Sequence, residues 1–121
     1  MQANKNLPFL ARLRFALTGF AHAWRNERSF KTQASALLVA LIVLVILRPA
    51  PMWWALVALS SAGVLGAELF NTAIERLADH LHPEQHPEIG IVKDCAAAAV
   101  LVMVAGALGV AIAFVAAFIR G

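Results

Sequence analysis

Pro49-Ala-Pro-Met-Trp-Trp-Ala-Leu-Val-Ala-Leu-Ser-Ser-Ala-Gly-Val-Leu-Gly-Ala-Glu68-Leu-Phe-Asn71-Thr-Ala-Ile-Glu75 decides the fold. Pro49 to Ala67 carries no charge over 19 residues, and two carboxylates and an amide then follow. A bilayer core of about 30 Å needs roughly 20 helical residues. The stretch spans only if its helix continues through Glu68, which sets that carboxylate about two turns from a membrane surface. An ionisable group near mid-bilayer costs roughly 2.5–3.5 kcal/mol on the insertion scale, so its presence points to function. At about 100° per residue, Glu75 falls about 20° from Glu68 and Asn71 about 60° away. The three share one helix face, and Asp79 continues it.

The flanking sequence supplies two more spans. Ala34 to Leu47 is free of charge, with a helix start expected near Ser29, and Cys95 to Ile119 is free of charge for 25 residues. The whole chain of 121 residues is 61% hydrophobic and 14% charged, with a mean hydropathy of +0.75. Soluble domains are about a quarter charged, so a water-soluble globule is excluded. The length allows one domain, residues 1–121. The single Cys95 forms no internal disulfide and reads as a small packing residue. Pro49 and Pro51 stop one helix and start the next, and Trp53 and Trp54 sit where interfacial aromatics belong. A second, polar connection is expected from about His80 to Val92. No uninterrupted early apolar core suggests a signal peptide.

Residues 8–28 place Phe9, Leu10, Leu13, Leu17, Phe20 and Trp24 at intervals of three and four. That pattern predicts an amphipathic helix lying on the membrane face. The expected fold is therefore all-α: a surface helix over about 8–28 and spans over about 29–47, 52–79 and 93–119. Lys5, Arg12, Arg14, Arg25, Arg28 and Lys31 crowd the N-terminal segment, and Arg76 and Lys93 flank the second connection. The positive-inside rule then expects a cytoplasmic N-terminus, with the proline hairpin and C-terminus outside.

No phosphate-binding glycine loop, dinucleotide fingerprint or Cys/His zinc cluster occurs. His80, His82 and His86 fall within one polar connection, where a solvated loop explains them better than a soft-metal site. No serine has a His/Asp pair at close range, so acyl transfer has no support. Carboxylates, an amide and a lysine at a membrane boundary do suit phosphoryl transfer, which needs positioning, divalent metal and a proton acceptor. Glu27 and Glu75 can supply the one or two carboxylates that magnesium takes. Lys93 can pair with phosphate. Glu68, desolvated by its depth, suits the base toward a lipid hydroxyl. Two other readings use the same face: a polar seam locking helices together, and a proton-handling path in a membrane protein that is not an enzyme.

The run Glu68-Leu-Phe-Asn-Thr-Ala-Ile-Glu75, with His86-Pro and Lys93-Asp94 after it and Trp24-Arg-Asn-Glu-Arg-Ser-Phe30 before it, resembles the prokaryotic diacylglycerol kinases. These are small integral membrane lipid kinases. The resemblance covers about residues 12 to 115. It implies transfer of a phosphoryl group from Mg-ATP to a membrane lipid alcohol, diacylglycerol first and undecaprenol as the alternative. It implies Glu68 as general base, with Asn71 orienting groups on the same face. Glu27 and Glu75 take the metal positions, and Glu84, His86, Lys93 and Asp94 the ATP positions. It further implies a homotrimer in the bacterial inner membrane with active sites between subunits, and no nucleic-acid partner. Thr72, His86-Pro87 and the Arg14–Gly19 stretch look more like the undecaprenol arm. Pro8 stands where the enteric enzymes have arginine.

Overall fold

A computed structural model describes residues 6–121. Lys5 lies outside the described residues. Four helices follow in order: α1 (Phe9–Asn26), α2 (Arg28–Leu47), α3 (Pro51–Leu81) and α4 (Pro87–Arg120). The described residues contain no strand. The protein is an all-α, multi-pass membrane protein, for α2, α3 and α4 are each long and apolar enough to cross a membrane.

A single residue joins α1 to α2. Asn26 ends the first helix and Arg28 starts the second, while Glu27 holds an extended backbone at φ −112° and ψ 110°. Phe20 and Phe30 close this corner with an edge-to-face contact at 4.9 Å between ring centroids. Phe30 is fully buried and Ala23 is 1% exposed. The rest of the α1 apolar stripe, including Phe9, Leu10, Leu13 and Leu17, is exposed. An amphipathic helix with an unburied apolar face has the form of an interfacial element.

At the opposite end, α2 stops at Arg48, which takes the left-handed conformation at φ 49° and ψ 55°. The left-handed region is uncommon for residues other than glycine, and here it lets the chain reverse within Arg48–Ala50. Pro51 then opens α3, where its missing N–H costs nothing. Trp53 rests edge-on against Phe114 of α4 at 5.3 Å, so the C-terminal end of α4 lies at this hairpin.

The largest interface joins α3 and α4; α2 packs on α3, and α1 touches both α2 and α3. A small residue permits close approach at one point in particular, since a Cβ on Gly63 would overlap the Met103 methyl. Cys95, expected as a packing residue, is instead exposed on α4.

The second connection is shorter than the sequence suggests. Helix α3 runs on to Leu81 and α4 begins at Pro87, leaving only His82 to His86 between them. Pro87 takes the first helical position. The His86 side chain accepts a hydrogen bond from the Glu88 N–H at 3.1 Å, and Glu88 places a carboxylate in the first turn. Each favours a helix start. Gly90, Lys93 and Asp94 are therefore helical.

Helix lengths are unequal. At 1.5 Å per residue, α2 spans about 30 Å, α3 about 46 Å and α4 about 51 Å. The excess stands at the end away from the proline hairpin, where the carboxylates lie.

Candidate active site

Glu68 is 3% exposed, at mid-helix in α3. Burying a carboxylate demands a partner, and Ser29 supplies one: its Oγ donates to Glu68 Oε2 at 3.0 Å. Ser29 lies in the first turn of α2. The bond thus levels Glu68 with the start of α2, two residues beyond Glu27. Thr72, one turn along α3, is also buried at 6% exposure.

Asn71 and Glu75 share the face of Glu68, as the spacing predicts. Asn71 Nδ2 donates to Glu75 Oε1 at 3.4 Å, a long bond. Asn71 Oδ1 is buried without a partner among the described residues. Both residues are half-buried, and so is Glu27. Neither Glu27 nor Glu75 makes an ion pair with a described residue. Seven residues of helix separate Glu68 from Glu75, a rise of about 10 Å.

Lys93 and Asp79 pair across α4 and α3. Their side chains are 37% and 63% exposed, so the ion pair contributes about 0–1 kcal/mol at most. Its effect is geometric, since it ties the last turns of α3 to the second turn of α4. Lys93 also lines an open basin with Glu84, Gln85 and His86. Asp94, next to Lys93, is exposed. The arrangement thus has two levels. A buried carboxylate sits at the start of α2, and an exposed basin with mixed charge sits beyond it.

Two of these contacts escape a reading of the sequence. Ser29 is 39 residues from Glu68, and no periodicity links them. The Asp79–Lys93 pair is 14 residues apart, and the opposite charges flanking a tight turn were the available signal.

Among the described residues, no three His, Cys, Asp or Glu side chains gather as a metal cage. Magnesium needs no such cage, since it takes one or two carboxylates and completes its shell with phosphate oxygens and water. Glu27 and Glu75 are hard oxygen donors free of ion pairs, which fits that demand.

Comparison with known proteins gives the arrangement its context. Residues 14–115 match the model of the family described as prokaryotic diacylglycerol kinase. The chain belongs to that family. This lipid kinase is 31% identical over 90 residues to the diacylglycerol kinase of Escherichia coli K12, covering 74% of each chain. It is also similar to the diacylglycerol kinase of Shigella flexneri, with the same identity and coverage. With that of Synechocystis sp. PCC 6803 it shares 32% identity over 93 residues, 76% of this kinase and 53% of the relative. The matched region takes in every residue of the two levels described above. The lipid kinase reading displaces the non-enzymatic one.

Proposed function

We propose that this kinase transfers the γ-phosphoryl group of Mg-ATP to a membrane lipid alcohol, diacylglycerol, giving phosphatidic acid and ADP. The observation that carries the reading is the buried Glu68 carboxylate, held at Oε2 by Ser29 and set on one face with Asn71 and Glu75. A base desolvated at the membrane boundary meets a lipid hydroxyl without the lipid leaving the bilayer. Ser29 fixes one oxygen, and Oε1 remains to accept the hydroxyl proton as the lipid oxygen bonds to the γ-phosphorus. The bond from that phosphorus to the β–γ bridging oxygen breaks, and ADP leaves.

Glu27 and Glu75 would hold the magnesium, which when bound neutralises phosphate charge. Asn71 orients Glu75. Glu84, His86, Lys93 and Asp94 form the nucleotide-facing side, with Lys93 held in place by Asp79 until phosphate draws on it. One chain leaves the exposed face of α4 and the stripe of α1 uncovered, which favours a homotrimer with active sites completed between subunits. The basic residues of the α1 segment favour a cytoplasmic N-terminus in the bacterial inner membrane.

Undecaprenol is the second reading, favoured by Thr72 and His86-Pro87. The deciding experiment offers purified kinase in micelles Mg-ATP with each lipid alcohol and measures phosphorylated lipid. Diacylglycerol should turn over at least tenfold faster than undecaprenol, and Glu68→Gln should lower that rate by about 10²–10⁴-fold, the range for general base removal. The reverse lipid preference would move the assignment to the undecaprenol arm. Turnover of neither lipid would end the kinase reading of this site.

A further inference from the structure

His82-Pro83-Glu84-Gln85-His86 forms the connection between α3 and α4, and its two imidazoles are set in opposite states by their partners. His82 Nδ1 lies 2.9 Å from the Glu84 carbonyl oxygen. A carbonyl only accepts, so His82 Nδ1 must carry a hydrogen. His86 Nδ1 lies 3.1 Å from the Glu88 backbone nitrogen, which only donates. His86 Nδ1 must therefore be bare, and in the neutral ring its hydrogen sits on Nε2. The two rings meet edge to face, with centroids 5.4 Å apart and planes at 68°. The Glu84 carboxylate stands 4.0 Å from His82 Nδ1.

We propose that His82 is a positioning residue for nucleotide binding. It clamps the Glu84 backbone, packs against the His86 ring and so presents His86 to the basin as a fixed Nε2–H donor. The inference rests on the reading of this basin as the nucleotide-facing side. His82 itself needs no contact with nucleotide. A five-residue loop that contains Pro83 and is followed at once by Pro87 is already restricted. The His82 bond closes its N-terminal half as an internal turn, and the His86 cap closes its C-terminal half onto α4. Ordering the loop beforehand removes an entropy cost from binding, and His82 contributes to that order from the side of α3.

The test uses full-length kinase in micelles at saturating diacylglycerol, with Mg-ATP varied. His82→Ala should raise the KM for ATP about tenfold and leave kcat within about twofold, the signature of lost binding without lost chemistry. His82→Asn should restore most of the affinity, because the asparagine Nδ2–H can donate to the same Glu84 carbonyl oxygen in place of the ring N–H. Nitrogen-15 histidine spectra should show His82 protonated at Nδ1 and neutral His86 protonated at Nε2. An unchanged ATP KM in His82→Ala overturns the proposal, as does neutral His86 protonated at Nδ1. Lys93→Ala separates the proposal from the reading beneath it. If Lys93→Ala raises the ATP KM while His82→Ala does not, His82 alone loses its role. If neither moves it, the basin is not the nucleotide site.

Discussion

Ser29 and Glu68 illustrate what a single residue contributes here. A hydrogen bond to a charged group is worth about 1.5–3 kcal/mol. The carboxylate of Glu68 is set by Ser29 Oγ at 3.0 Å. Ser29→Ala should therefore lower kcat about tenfold or more, with the KM for ATP unchanged, in steady-state assays across ATP concentrations. An unaltered kcat would mean that Ser29 is incidental to the base. Glu75 is tested differently. Glu75→Gln keeps the size and the Asn71 contact but removes the charge, so the magnesium concentration for half-maximal activity should rise at least tenfold. A magnesium titration with the same midpoint as the parent would remove Glu75 from the metal site. That Glu68, Asn71 and Glu75 share one face was legible from spacing alone, because residues within one helix fix their own relative directions. Ser29 was not, because periodicity says nothing about how one helix is turned toward another.

Among the elements, the corner between α1 and α2 carries the most consequence. Its extended Glu27 is a candidate metal ligand, so its position depends on how firmly α1 docks. Phe30, fully buried against Phe20, supplies that docking. Truncating a buried phenylalanine costs about 3–5 kcal/mol in soluble cores. Phe30→Ala should lower stability by a similar amount in mixed-micelle denaturation and raise the magnesium requirement, while Phe30→Leu does much less of both. A stable Phe30→Ala variant with normal magnesium dependence would detach the corner from the site. The surface helix and the proline hairpin were readable, since apolar spacing and Pro49/Pro51 declare them. The second connection was not. Its polar residues suggested thirteen residues of loop, from His80 to Val92, where five suffice; a histidine cap and Pro87 pull the remainder into α4.

At the scale of the whole molecule, topology places both levels of the site on one side. The single Cys95 simplifies the check: with Cys95→Ser as background, Gln85→Cys should react with a membrane-impermeant thiol reagent in inside-out vesicles and not in intact spheroplasts. Labelling of spheroplasts would invert the orientation. Three spans and the crowding of basic residues were legible because bilayer thickness and charge bias act on composition. How subunits associate was not, for an exposed apolar helix face looks the same to lipid as to a neighbour.

The unequal helices carry a further consequence. Because α2 barely matches the hydrocarbon slab while α3 and α4 outrun it by about three turns or more, the depth of Glu68 is referenced to the bilayer through α2 alone. Swelling or thinning the host membrane slides the Ser29–Glu68 level relative to the glycerol plane by whatever α2 cannot absorb through tilt. Turnover should accordingly peak at one acyl-chain length of the surrounding lipid, whatever the length of the chains on the substrate.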